Sequence, residues 1–311
     1  MPARTLLAVG AGIASALLFG TLMTGSPLAI VIMPFSMLPL FLIGLSGGAV
    51  PSIIAAVAAT SLVAAMGGLV SAVAYAAAEA VPAVAISGQA VRHRTDRDGR
   101  RVWLPVGHLM GYMTGYGALL LVVIFLGFSG FEGGFIGLVE RQVTLIFEPM
   151  VADGPDAREM LTQFAAQVAR LAPGTMAAWW LIITLVSLGI AHSLLGRWGR
   201  NLRPTLGLAR VETPRWITVA LAGGVLLGLL AGGTAGLVGW NLVQVLIVPF
   251  VFVGLMVLHM LCRGWGPGPI FLGLFYLVLF VRGWPMFVAA ALGFAEQWVK
   301  LRDKIGGPAP P

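Results

Sequence analysis

One glutamate, Glu79, stands inside a long apolar run, in the stretch Tyr75-Ala-Ala-Ala-Glu79-Ala-Val-Pro82. A carboxylate at membrane depth is costly unless it is protonated, paired or wetted, so Glu79 is the first candidate for chemistry. It could bind a small solute or an ion. It could equally be a protonated carboxyl that ties two helices together. Pro82 predicts a kink that frees backbone carbonyls beside it. Arg282, in another apolar stretch, is the candidate distant partner. His108, Tyr112 and Tyr116 recur every fourth residue, with Gly115 beside them. That spacing lines one helix face with groups able to hydrogen-bond a ligand or a neighbouring helix. Asn241 and Gln244 form a weaker polar pair. His192 and His259 sit near the ends of apolar runs, where hydration favours a structural role over a metal site.

Catalysis and cofactor binding find no motif. No phosphate loop, HExxH sequence or nucleophile elbow is present, so the chain is read as a non-enzyme without cofactor or metal. The single cysteine, Cys262, rules out a disulfide framework and a multi-cysteine metal site.

The elements that must carry these residues are membrane helices. The chain is 59% hydrophobic and only 10% charged, with mean hydropathy +0.95, outside the range of soluble domains. We read all 311 residues as one all-α integral membrane domain, a polytopic helical bundle. Full spans are expected at about 5–24, 27–45, 49–67, 69–90, 103–127, 174–195, 216–238 and 241–262, with a broken hairpin at 269–298. The first run is read as a retained helix, not a cleaved signal. Gly25-Ser26-Pro27, Ser46-Gly47-Gly48 and Gly67-Gly68 mark turns, and Arg282-Gly283-Trp284-Pro285 breaks the last stretch.

Charge sets the sidedness. Arg92, Arg94, Arg97, Arg100 and Arg101 form one basic cluster, and Arg197, Arg200, Arg203, Arg210 and Arg215 a second. Lys300, Arg302 and Lys304 form a third, with Arg4 and Arg263 alone. Such loops face the cytoplasm, which places both termini there and the protein in a bacterial cytoplasmic (inner) membrane. The segment 128–173 holds six acidic side chains against Arg141, Arg158 and Arg170, and is expected outside. Trp103, Trp179, Trp180, Trp198, Trp216, Trp240, Trp265 and Trp298 fall at span ends, as interfacial anchors do. Orientation thus accounts for the net charge of +7, and no nucleic-acid partner is expected.

The external insert is expected to form two short amphipathic helices. In the second, Met160, Leu161, Phe164, Ala165, Val168 and Leu171 recur at helical spacing after Pro155-Asp156. It lies on the membrane or the bundle, or forms a lid. Two stripes of small residues follow a four-residue period: Ala8, Gly12, Ala16 and Gly20 in the first span, and Gly224, Gly228, Gly232 and Gly236 in the seventh. Such stripes let backbones approach, within this chain or against a partner membrane protein. The next helices share a Pro and Gly-Leu spacing, Pro39-Leu-Phe-Leu-Ile-Gly44-Leu45 and Pro249-Phe-Val-Phe-Val-Gly254-Leu255. A parallel duplication would produce this echo, and so would chance in apolar sequence.

Ser26-Pro27-Leu28-Ala29 running into Leu38-Pro39-Leu40-Phe41-Leu42-Ile43-Gly44-Leu45 resembles the second span of a bacterial membrane family, domain of unknown function 2232. Asn241 followed by Pro249-Phe250, Gly254-Leu255 and His259, then Phe275-Tyr276-Leu277, is similar to it too. So is the ending Leu292-Gly293-Phe294-Ala295-Glu296-Gln297-Trp298, where Glu296 looks like a helix-end feature. That family is distantly similar to the substrate-binding (S) subunits of energy-coupling-factor vitamin transporters, which bind a small solute and dock onto an energising module. The Ala8/Gly12/Ala16/Gly20 stripe is similar to their alanine docking motif. This chain departs from them in its greater span number and its large external insert.

The resulting expectation is a transporter-like membrane subunit that binds a small solute and is energised by a partner. Glu79, His108, Tyr112, Tyr116, Arg282 and Asn241 would line or gate its site. The alternative is a non-transporting scaffold or assembly factor for envelope processes, held to its partners by the small-residue faces.

Overall fold

The computed structural model describes residues 2–151, 154–203 and 211–305; Asp153 of the insert and Arg210 of the second basic cluster lie outside these ranges. The chain is helical almost throughout. The helices are α1 (Pro2–Gly20), α2 (Ala29–Ile32), α3 (Met37–Gly47), α4 (Ala49–Tyr75), α5 (Val81–Ala90), α6 (Val106–Gly127) and α7 (Gly134–Phe147). They continue with α8 (Pro155–Arg197), α9 (Arg215–Leu230), α10 (Gly233–Leu246), α11 (Val248–Cys262), α12 (Gly268–Arg282), α13 (Pro285–Val299) and α14 (Leu301–Ile305). The first basic cluster folds as a small antiparallel hairpin of β1 (His93–Thr95) and β2 (Arg101–Trp103).

By length and composition six runs can cross a membrane: Ala3–Thr24, Ala29–Gly47, Ala49–Ala90, Val106–Gly127, Pro155–Arg197 and Gly233–Cys262. The bent pair α12–α13 makes a seventh if it counts as one span. Two expected boundaries change. The span expected at 216–238 stops at Leu230, because the backbone turns extended at Ala231 and Gly232 and resumes at Gly233 with φ +59°. The span expected from 241 therefore begins at Gly233 and runs on through α11. The turn expected at Gly67-Gly68 does break its helix, since Gly68 has φ +76°. Residues 53–61 before it and 76–85 after it line one groove, so the two arms fold back on each other.

The chain divides into two compact units, one of residues 1–113 with 182–211, the other of 114–181 with 212–311. In the first, α1 packs along α4, and the stripe explains how. Ala8 and Ala16 are fully buried, and a methyl group on Gly12 would run into the Ala55 carbonyl of α4. The stripe is thus occupied by the chain itself.

In the second unit α9 and α10 form a tight antiparallel pair. Gly224 faces Gly239 and Val243, and Gly228 faces the Trp240 ring. Gly232 lies in the turn after α9 and Gly236 in α10, so the expected four-glycine stripe is not one helix face. Helices α11 and α13 meet backbone to backbone, Gly254 against Ala289 and Gly293 against Phe250.

The Pro–Gly echo has a structural counterpart, but it is no repeat of one fold. Gly44 meets Ser87 while Ser36, two turns earlier, meets Glu79, so α3 and its partner run parallel. Gly254 and Phe250 pair with Ala289 and Gly293 in antiparallel sense. The shared spacing gives both helices a close crossing, with partners of opposite direction.

The insert holds α7 and the outer part of α8. Its second amphipathic helix is not separate, since α8 runs unbroken through Pro173 into the span. Phe135 of α7 packs on Phe125 and Phe128, and Phe147 meets Phe164 of α8 at 5.5 Å between ring centres. These contacts pin the insert to its own flanking helices.

Candidate functional site

Glu79 is buried, with 3% of its surface exposed, and the local sequence shapes its surroundings. Pro82 has no N–H to offer Ala78, four residues before it, so the regular ladder cannot continue. The helix widens into a π-helical segment, Ala76–Ala80, with Glu79 inside. Such segments are rare and are frequent at functional sites.

One hydroxyl reaches the carboxylate, and two more stand behind it. The Ser36 hydroxyl donates to Glu79 Oε2 at 2.8 Å. Ser15 Oγ donates to the Ser36 carbonyl at 2.6 Å and shares a 2.6 Å hydrogen bond with the Tyr75 hydroxyl. Ser15, Ser36 and Tyr75 are all fully buried, and Phe19 closes over the Tyr75 ring in an edge contact at 5.0 Å. Three segments thus converge: α1 brings Ser15, the turn before α3 brings Ser36, and the α4–α5 run brings Tyr75 and Glu79.

The polar face extends inward. Tyr75, Glu79, Ala83 and Ser87 follow one another every fourth residue and are all buried. Ser87 faces Gly44, and Ser52 of α4 approaches the same glycine. The hydroxyls of Ser52 and Ser87 are buried without a hydrogen-bond partner. Beside this face the two arms of the Ala49–Ala90 run enclose an open groove of about 500 Å³, lined by Ala56, Thr60 and Ser61 on one arm and Ala76 and Ala80 on the other.

A carboxyl in such a place must be neutral or carry a compensating cation, because an isolated buried charge is too costly. It can hold a proton, accept a donor from a solute, or face a cationic group. The Ser36 hydroxyl orients it, and its rotatable proton adapts to either protonation state.

The other expected site residues fall elsewhere. His108 and Tyr112 lie on the exposed side of α6, away from the buried Leu109 and Met113. Tyr116 is half-buried against Trp180 at 6.0 Å between ring centres. Leu109 and Met113, not His108 and Tyr112, are the residues this part of α6 buries. Arg282 ends α12, exposed, in the unit that does not contain Glu79. Asn241 is fully buried, but its amide is engaged by the backbone of α8 and α10. Gln244 accepts a 2.7 Å hydrogen bond from Thr175. Glu296, near the end of α13, caps the start of α14 by accepting from the N–H groups of Leu301 and Arg302, and it pairs with Arg302 Nε at 2.9 Å.

Sequence reasoning found Glu79 and missed Ser15, Ser36, Ser52 and Ser87. The four-residue spacing from Tyr75 to Ser87 was available as a signal. The serines of the other helices were not, since serine is common in membrane helices and becomes informative only through its neighbour. Among the described residues no group of three or more His, Cys, Asp or Glu side chains could hold a metal ion.

Long apolar helices and a buried polar centre define a multi-pass helical membrane protein. Residues 13–295 match the predicted-membrane-protein family DUF2232, and the chain belongs to that family. No curated protein and no solved structure matches it.

Proposed function

We propose that this protein is a transporter-like membrane subunit that binds a small solute, with Glu79 as its recognition group and a partner as its source of energy. The observation that carries the reading is the Glu79 carboxylate, out of water in a π-helical turn and bound by Ser36. A helix tie needs one hydrogen bond. Here Ser36, which holds the carboxylate, is itself bound by Ser15, which also reaches Tyr75, and two partnerless hydroxyls, Ser52 and Ser87, meet at Gly44. Similarity to the energy-coupling-factor S subunits points the same way, with one difference. The stripe that resembles their docking motif lies against α4 here, so an energising partner would bind another face.

Topology completes the reading. Counting the two arms of Ala49–Ala90 and a short crossing by α9 gives eight crossings, with both termini on the basic, cytoplasmic side of a bacterial inner membrane.

Native mass spectrometry of the gently purified protein, wild type beside Glu79→Gln, tests this. A small molecule that co-purifies with the wild type and is lost from the variant is the expected result. A ligand-free protein carrying a stoichiometric protein partner, unchanged by the substitution, would sink the proposal and favour a scaffold.

A further inference from the structure

The cytoplasmic end of α8 holds a second polar centre, separate from Glu79. His192 is 9% exposed, and its Nε2 is buried without a hydrogen-bond partner. Arg203 stands two residues after Asn201, whose side chain is bound to the His192 carbonyl, and its Nη1 is likewise buried and unpartnered. The chain is folded back to bring them together. After α8 ends at Arg197, Asn201 Nδ2 donates to the His192 carbonyl at 3.1 Å. That bond lays residues 198–203 against the helix end.

Two buried nitrogens, one of them Nη1 of a half-buried guanidinium, make a costly arrangement without an acceptor. An anion would supply what both lack. Arg203 would meet it with a charged fork and His192 with an Nε2–H. Location narrows the chemistry. Trp198 is exposed beside this centre, as expected of a residue at the headgroup level. Arg197 and Arg200 are exposed nearby and add positive charge. A phosphate group fits this chemistry, since a guanidinium suits its oxygens and anionic lipid phosphates concentrate at the inner surface.

We propose that His192 and Arg203 form a binding site for one phosphate group at the cytoplasmic end of α8, supplied by an anionic phospholipid or by a soluble phosphate. Neither residue belongs to the Glu79 network, so the site stands or falls independently of the proposed solute function.

The test is native mass spectrometry of delipidated full-length protein, titrated with phosphatidylglycerol or phosphatidylcholine, and separately with inorganic phosphate. The wild type is expected to retain one phosphatidylglycerol in preference to phosphatidylcholine. Arg203→Gln should weaken that retention roughly tenfold or more, the scale of losing a charge-assisted hydrogen bond. Arg203→Lys should restore part of it. His192→Gln, which keeps a neutral donor, should weaken it less than Arg203→Gln. Displacement of the lipid by millimolar inorganic phosphate would identify a soluble phosphate as the source. Resistance to displacement would identify the lipid. Should Arg203→Gln fail to fold, the lysine and His192→Gln variants carry the comparison alone. Equal retention of both lipids by the wild type, together with no binding of inorganic phosphate, would overturn the site.

Discussion

The amide of Asn241 bridges two backbone groups of α8 that a regular helix would join to each other. The Gly174 N–H donates to Oδ1 at 2.5 Å, and Nδ2 donates to the Arg170 carbonyl at 2.9 Å and to the Leu237 carbonyl at 2.8 Å. The cause lies one residue away: Pro173 sits inside α8, where its ring crowds the preceding turn and disturbs the ladder. Gly174 allows the approach, since a methyl group there would overlap Asn241 itself. An amide with one acceptor and one donor end fits this pair, and a carboxylate does not.

Asn241→Leu should therefore destabilise the protein by about 1–3 kcal/mol, the cost of leaving buried backbone groups without partners. Asn241→Asp should do at least as much harm. It keeps the acceptor for Gly174 but sets oxygen against the Arg170 and Leu237 carbonyls. Reversible unfolding in mixed micelles, wild type beside both variants, measures the order. An aspartate variant as stable as the wild type would refute the clamp.

The glycine stripe of the second unit separates packing from docking. Gly228 has the Trp240 ring within contact of any added side-chain atom, whereas nothing lies near Gly232, whose φ of −90° suits any residue. Gly228→Val should cost about 1–3 kcal/mol through overpacking, and Gly232→Ala should change stability by less than about 0.5 kcal/mol. Melting temperatures of the two variants decide it. Equal effects would mean that the stripe works as one surface, as a partner-docking face requires.

Glu79 should tolerate loss of charge better than loss of its hydrogen bond. Glu79→Gln keeps the size and an oxygen for Ser36, and it removes any need to desolvate a charge. Its stability should match or exceed that of the wild type. Ser36→Ala removes the donor that binds the carboxylate, at a cost of about 1 kcal/mol. In a double-mutant cycle with Glu79→Leu, the two effects should be clearly non-additive. Strict additivity would dissociate the pair.

How much of this was legible follows from the kind of signal each feature leaves. The helical class, the turn at Gly68 and the disturbed ladder before Pro82 were readable, because apolar length, glycine and proline act locally. The importance of Glu79 was readable because a carboxylate in an apolar run is rare. Its partners were not, since Ser15 and Ser36 reach it only through the packing of α1 and α3. The face shared by His108, Tyr112 and Tyr116 was a correct reading of helical spacing. Which side of α6 turned inward depended on neighbours that spacing does not identify. Asn241 drew notice as a polar residue in a span, and only the position of Pro173 on another helix shows what it binds.

The broken segment at the C-terminal end can be tested for sidedness. Helices α12 and α13 are 15 residues each and bend by 118° at Arg282–Pro285. A bend of that size turns α13 back toward the side from which α12 enters. The pair should therefore enter and leave on one side, with its tip at membrane depth or at the near interface. In a Cys262→Ser background, cysteines at Arg263 and Lys300 should react with a membrane-impermeant maleimide only in inside-out vesicles. Cys262 is itself buried, so its removal should not disturb the surface. Labelling of the two positions from opposite sides would show that the segment crosses as a single bent span.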